Sequence, residues 1–296
     1  MSTTVHVFGS INIDYVHRVH RAPAAGETIS DIDRAVYLGG KGANQALAAA
    51  RAGATVRLAG AIGTEGIWAR DRLAAAGIDV SGVATLDTAT GHAVILVEPD
   101  GENRIVIHGG ANRAIPKSVL EAALEATRPG DWWVTQNETG RVAESMAAAR
   151  GRGLRTVYAA APFVAGDATA VLPHTDVLAL NEGEAAALSA HLEGALPVSA
   201  VLVTRGSAGA VWRERDASGV WAETAIPAFP VTPVDTTGAG DCFLGYAVAG
   251  LAAGASPGEA LRRAAAAAAV AVTRPGAGDA VPSGAEVDVF LAEAGA

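Results

Sequence analysis

Cysteine, aromatic side chains and basic charge are all scarce in this chain, and each scarcity removes a class of function. Cys242 is the single cysteine among 296 residues, so no disulfide can close within the chain, and one thiol fits a reducing compartment. It follows Asp241 at the start of a helical run, where a thiol can become reactive; a small buried packing residue is the preferred reading. Aromatics make up 5% of the residues, and Trp132-Trp133 reads as sheet and helix packing rather than a stacking platform. Lys and Arg number 22 against 31 Asp and Glu, a formal net charge of −9. That balance argues against a nucleic-acid partner, which would want a basic face, while leaving room for a local anion site. No apolar run is long enough to span a bilayer. The stretch up to Val7 is a short polar start entering a strand, without the regions of a secretory leader. No membrane partner and a cytoplasmic location are therefore expected. His6, His17, His20, His92, His108, His174 and His191 show no paired metal-ligand spacing on a credible helix.

What the chain has is apolar volume and a steady alternation. Half of its residues are hydrophobic, enough to bury the core of one large α/β domain or two small ones. Short β-type runs, Val5 to Phe8, Val56 to Ala59, Trp132 to Thr135, Thr156 to Ala159, Val177 to Leu180 and Val201 to Thr204, alternate with alanine-rich helical stretches. The helical stretches lie near Asn44 to Ala52, Ala69 to Ala76, Ser118 to Ala126, Val142 to Arg150, Glu184 to His191, Ala239 to Ala253 and Pro257 to Val272. The alternation predicts a doubly wound α/β fold with a mainly parallel sheet. No repeat or linker divides it, so residues 1–296 read as one domain. The run Ala264 to Ala269 is helix core, alanine being the best helix former. Residues 15–38 and 92–107 break the rhythm with extended, alternating segments and no helix between them.

Two glycine-rich segments carry the chemistry. In Thr236-Thr237-Gly238-Ala239-Gly240-Asp241, small residues and free backbone N–H groups open a helix, which makes an anion site. Asp241 points a carboxylate into that site, useful if it takes a proton from a nucleophile while the N–H groups of Gly238, Ala239 and Gly240 hold charge developing on a phosphoryl group. An N-cap with an acidic first turn is the plain structural alternative. In Leu38-Gly39-Gly40-Lys41-Gly42-Ala43-Asn44-Gln45-Ala46, glycines permit close backbone approach, and Lys41 and Asn44 offer polar groups to a polyhydroxylated molecule. It is not a Walker A loop, because Ala35 and Gly42 occupy that motif's glycine and hydroxyl positions. Nor is Gly238-Ala239-Gly240 a dinucleotide fingerprint, since Phe243 stands where the third glycine belongs.

Together the two segments resemble the ribokinase-like (PfkB) carbohydrate kinase family. Further matches follow in order: Gly9-Ser10-Ile11-Asn12-Ile13-Asp14, Gly26-Glu27-Thr28, Gly101-Glu102-Asn103, Ile107 to Asn112, Asn181-Glu182-Gly183-Glu184, Thr204-Arg205-Gly206-Ser207, Asp235 to Asp241, and Ala271 to Ala277. The resemblance implies transfer of the γ-phosphoryl group of ATP to the primary hydroxyl of a small sugar, with D-ribose the first choice. Another sugar, a nucleoside, or a non-catalytic sugar-binding regulator are the alternatives. It implies Asp241 as base and Asn12, Asp14, Gly40, Lys41, Asn44 and Glu138 as sugar ligands. Asn181 and Glu184 would arrange water around Mg²⁺ and the phosphates, and Thr204, Arg205, Gly206, Ser207 and Gly209 would form the nucleotide turn. Asp235, Thr237, Ala271, Arg274 and Gly276 would hold K⁺. Segments 15–38 and 92–107 would form a β-sheet lid that also pairs two subunits. The chain departs from the family at Ala159-Ala160-Ala161-Pro162, at the alanine run from Ala264, and at Ala280, where relatives often place a Ser.

Overall fold

The computed structural model describes residues 3–192, 194–216 and 218–295. The strands in chain order are β1 (Thr4–Phe8), β2 (Asn12–Arg18), β3 (Asp33–Gly39), β4 (Thr55–Ile62), β5 (Asp79–Thr85), β6 (Gly91–Val97), β7 (Asn103–His108), β8 (Trp132–Gln136), β9 (Arg155–Ala159), β10 (Val177–Asn181), β11 (Ala200–Thr204), β12 (Ala210–Arg215) and β13 (Trp221–Ile226). The helices are α1 (Lys41–Arg51), α2 (Ile67–Ala75), α3 (Lys117–Glu125), α4 (Val142–Gly151), α5 (Ala165–Val171), α6 (Glu182–His191), α7 (Ala239–Ala252), α8 (Pro257–Val272) and α9 (Gly284–Ala294).

Nine strands form one sheet in the order β13-β12-β11-β10-β9-β8-β1-β4-β5, parallel from β11 to β5, with β12 antiparallel to both β11 and β13 at one edge. Strands buried on both faces read as continuous apolar runs, which is why Val5 to Phe8 and Val177 to Leu180 are nearly unbroken in hydrophobicity. Apolar residues of α1, α2, α7, α8 and α9 cover one face, and those of α3 to α6 cover the other. Trp133 lies in the second layer, stacked on Phe8 at 5.7 Å between ring centroids. Cys242 is fully buried, and its burial pushes the thiol up to about 12; desolvation outweighs the helix N-terminus, and the packing reading holds.

Four strands form a second, smaller sheet in the order β3-β2-β6-β7. These are the two extended segments, with the strands reaching a little beyond the expected bounds because β2 starts at Asn12 and β6 at Gly91. Among the described residues no helix is long and apolar enough to cross a membrane.

How α1 meets α7 decides where the site lies. A Cβ on Gly245 would come within 2.5 Å of the Ala48 Cβ and 2.6 Å of the Gln45 carbonyl oxygen. Only glycine lets these two backbones approach so closely. Gly245 lies one turn beyond Asp241 on the same helical face, so the close crossing also sets the Asp241 carboxylate against Gln45.

Candidate active site

Strand β1 lies between β8 and β4, and helices leave toward opposite faces on its two sides. Ligands of doubly wound sheets bind at such a reversal, beyond the carboxyl ends of the strands. Ser10 and Asn12 follow β1, and Gln136 and Glu138 end or follow β8. The N-termini of α1 and α7 converge on the same place.

Helix starts in this chain divide into two kinds. Helices α6, α8 and α9 carry full capping boxes, from Asn181 to Glu184, Ser256 to Glu259 and Ser283 to Glu286. Helix α7 has no side-chain cap and begins at Gly238 in the left-handed region (φ 73°). Its first N–H groups lack helical partners, the Ala239 N–H turning back to the Thr236 carbonyl at 3.3 Å, and this helix start lines a cavity of about 280 Å³ together with Lys41, Asn181, Glu184 and Asp241, among others. Asp241 is 9% exposed. Its Oδ1 accepts from Gln45 Nε2 (2.8 Å) and its Oδ2, at 3.4 Å, from Asn44 Nδ2. Burial pushes the Asp241 carboxyl above the usual carboxylate range, and Lys41 opposes that shift. Lys41, the first residue of α1, is held above the usual lysine range chiefly by Asp241.

The other predicted sugar ligands gather on the Lys41 side. Gly40 precedes α1 at φ 91°, packed so that a Cβ would come 2.7 Å from the Asn12 nitrogen. Glu138 Oε2 accepts from the Lys41 N–H (3.0 Å) and from Ser10 Oγ (2.6 Å), and Ser10 Oγ accepts from the Gly42 N–H (3.2 Å). Glu138 therefore pins the start of α1. Asn12 Oδ1 accepts from Asn112 Nδ2 (2.7 Å), whose own Oδ1 takes the Ile11 N–H (3.0 Å). Asp14, on β2, has its carboxyl raised to about 6 by burial first and by Glu138 second, with Lys41 pulling the other way. Asn44 Oδ1 is buried and has no hydrogen-bond partner among the described residues. A buried acceptor left unpaired is costly, and here it lies beside Asp241.

On the far side of Gly240 a cavity of about 550 Å³ opens. It shares Thr204, Thr236, Ala239 and Gly240 with the smaller one, so the two adjoin. Its walls are largely apolar, with Phe243, Ala265, Ala268 and Ala269 on one side and the turn at Gly206, Ser207 and Gly209 at its edge. The alanine run thus lines a pocket as well as filling a helix. Arg205 does not line either cavity. Asn181 and Glu184 form the capping box of α6 and also line the smaller cavity. Burial raises the Glu184 carboxyl above its ordinary value.

The expected cation loops are in contact through Asp235. Its Oδ1 accepts from the Thr237 N–H and its Oδ2 from the Gly276 N–H, each at 2.9 Å. The Arg274 side chain turns away to Glu286, and the Ala271 carbonyl accepts from the Arg274 N–H at 3.0 Å. Asp279 pairs with Arg72 rather than facing the loops, and Ala280 is buried. Among the described residues no group of three or more His, Cys, Asp or Glu is placed to hold a metal.

Residues 2–284 match the pfkB family of carbohydrate kinases. The chain belongs to that family. It is 34% identical to the ribokinase of Haemophilus influenzae over 316 aligned positions, covering 99% of this chain and all of the relative. Among solved structures it resembles the ribokinase of Thermotoga maritima, with a TM-score of 0.88 and 31% identity over 99% of this chain and all of that one. It also resembles the Arabidopsis thaliana ribokinase complexed with ribose and ATP, with a TM-score of 0.85 and 28% identity over 98% and 99% of the two chains. The fold expected from βα alternation is the fold of these kinases.

Sequence reasoning assigns no role to Ser10, Gln45, Asn112 or Gln136; the structure places the first three against the predicted site residues Glu138, Asp241 and Asn12, and Gln136 against Gln45. Ser10, Gln45 and Asn112 stand inside the matched segments. Gln136 had its own signal, an amide closing a strand of otherwise buried residues.

Proposed function

We propose that this carbohydrate kinase transfers the γ-phosphoryl group of ATP to the primary hydroxyl of D-ribose, giving ribose 5-phosphate. The observation that carries the reading is the buried Asp241 carboxylate at the uncapped start of α7, where an apolar cavity meets a polar one. The nucleobase lies against Phe243 and the alanines of α8, and the phosphates run along the turn at Gly206 to the N–H groups of Ala239 and Gly240. Lys41 adds positive charge from the α1 side. The sugar lies among Asn12, Asp14, Lys41, Asn44 and Glu138, with a hydroxyl donating to the unpaired Asn44 Oδ1.

In the reaction Asp241 takes the proton of the attacking hydroxyl, while the α7 N–H groups hold the charge on the phosphoryl oxygens. Burial makes this carboxylate a stronger base than an exposed aspartate. Glu184 and Asn181 fit an Mg²⁺ held through water, the donor chemistry of a hard cation that keeps several waters; such an ion would neutralise the phosphates. The small sheet closes over the sugar to exclude water, which would otherwise compete for the phosphoryl group. It also provides the face through which two copies pair.

Relatives named ribokinase support ribose over another sugar or a nucleoside. A regulator without turnover would have no use for a buried carboxylate at an anion-binding helix end. The test is ADP release with D-ribose, fructose, adenosine and 2-deoxyribose, using the native enzyme and Asp241→Asn. D-Ribose should give the highest kcat/KM. The Asn variant should bind sugar yet lose about 10²- to 10⁴-fold in kcat, the usual loss on removing a general base. A preference of about tenfold or more for adenosine or fructose overturns the choice of sugar, and near-normal turnover in the Asn variant overturns the base.

A further inference from the structure

Behind Asp241 stands a chain of two amides that the reaction as described does not use. Gln45 Nε2 donates to Asp241 Oδ1 at 2.8 Å, and Gln136 Nε2 donates to Gln45 Oε1 at 2.7 Å. All three side chains are buried, Gln45 being 2% and Gln136 0% exposed. We infer that Gln45 and Gln136 are positioning residues that hold the Asp241 carboxylate ionised and aimed at the acceptor hydroxyl.

The donors and acceptors of the three side chains fix the direction of the chain. An ionised carboxylate only accepts hydrogen bonds, so the amide beside it must present its NH₂. With Nε2 of Gln45 committed to Asp241, its Oε1 faces Gln136, and Gln136 must then present NH₂ in turn. The polarity of the whole chain is thereby fixed by one charge, and the charge is favoured by the chain. A hydrogen bond to the ionised form of a carboxyl lowers its proton affinity. Here that pull counters the burial that drives the Asp241 carboxyl upward.

Gln136 reaches Gln45 from β8, across the carboxyl end of β1, and the strand between them leaves room for it. A Cβ on Gly9 would come 2.3 Å from Gln136 Oε1. That oxygen is buried with no hydrogen-bond partner among the described residues, so the amide keeps its orientation for the sake of its nitrogen. A core glutamine serving only to fill space would be replaceable by an apolar residue of its shape at little cost.

Other charges face Asp241 and contribute to its titration. Lys41 on α1 favours the ionised form, and Glu138 after β8 opposes it. Glu184 on α6 and Cys242 on α7 also lie within electrostatic reach of Asp241. Asp14 on β2 acts on Lys41. None of these is altered by the substitutions below, so a displaced limb belongs to the amide chain.

The inference rests on Asp241 as the base, and the experiment keeps the two apart. Single-turnover rates at saturating ribose and ATP are measured against pH for the native enzyme, Gln45→Met, Gln136→Met and Asp241→Asn. Loss of the Gln45 N–H should move the acid limb of the rate upward by about one pH unit, roughly tenfold in rate below the limb, with recovery to near the native rate above it. Gln136→Met, which removes no group touching Asp241, should shift the limb in the same direction by less. Ribose affinity should hold in both. A misfolded or loosened site would depress the rate equally at every pH, and a limb that stays in place in both Gln variants overturns the chain. If Asp241→Asn keeps its rate, the base assignment fails as well; if it is inactive while the limbs stay in place, the amide chain alone is wrong.

Discussion

Asp14 shows how one side chain can serve binding at the expense of folding. Its carboxyl is raised to about 6 in the folded chain from an ordinary 3.8, by burial and then by Glu138. Because the folded value lies above the unfolded one, the stability tied to the protonated form is fully present below about pH 4 and is lost as pH rises through about 6. At neutral pH the ionised Asp14 therefore burdens the fold. A shift of about two units corresponds to roughly 3 kcal/mol, reduced to about 1–2 kcal/mol by its partial exposure. Asp14→Asn should raise thermal stability at neutral pH, and the gain should fade as pH falls from about 6 to 4. The same change should weaken ribose binding, since an acceptor for sugar hydroxyls is halved. In the native enzyme ribose affinity should decline as pH falls through about 6. Calorimetric titration without ATP reads the affinity and scanning calorimetry the stability; a variant neither stabilised nor weakened in binding would contradict the assignment.

At the scale of elements, the loop pair ahead of α7 governs how well its N–H groups are presented. Asp235 already ties the loop before α7 to the loop after α8 through the Thr237 and Gly276 N–H groups. Ala280 offers no hydroxyl, Asp279 is engaged with Arg72, and the Ala271 carbonyl is used within its own turn. A monovalent cation held there would meet a reduced ligand set. K⁺ should therefore activate more than Na⁺ at fixed ionic strength, but by less than about tenfold and with weak affinity, acting on kcat more than on sugar binding. Initial rate against KCl, with a bulky ammonium chloride holding ionic strength constant, checks this; a flat response means that Asp235 alone fixes the loops.

How much of this was legible depended on the range of the signal. Buried parallel strands and alanine-rich helices announce themselves locally, so β1, β8, β10, α7 and α8 were readable to within a few residues. The antiparallel strands β12 and β13 and the short helix α5 were not, because their pattern is weak and their pairing sets them. The residues around Asp241 were named from two glycine-rich segments. Their partners were hidden for a different reason: Gln45 to Gln136 and Asn12 to Asn112 are contacts between residues about a hundred apart in the chain, created by the β1 reversal and by the α1–α7 crossing at Gly245.

For the whole molecule, the small sheet poses a question that one copy does not answer. Every residue of β7 is exposed, with Ile105 at 50%, Val106 at 71% and Ile107 at 60%. Cross-strand register sets Val36, Tyr15, Val94 and Val106 opposite one another across all four strands, an apolar row on one face. Leu96, on the same face as Val94, is half-buried, so the exposed row is narrow. Alternation along β7 puts Ile105 and Ile107 on the opposite face from Val106, so neither face of this edge strand is covered. Exposed apolar edge strands invite pairing with another chain, and a two-fold axis through such a sheet satisfies both copies at once. The protein should therefore sediment as a dimer at micromolar concentration. Val94→Glu and Val106→Lys place charge in the middle of the row without touching the large sheet, and each should shift the equilibrium toward monomer while leaving the fold intact. If the small sheet covers the sugar only when braced by its partner, the monomeric variants should show a raised KM for ribose and faster ATP hydrolysis without sugar, since water would reach the phosphates. Sedimentation velocity, paired with both rates at the same concentrations, decides it. A native monomer would rule out the pairing, and monomeric variants with unchanged KM would leave the sheet as a lid that needs no partner.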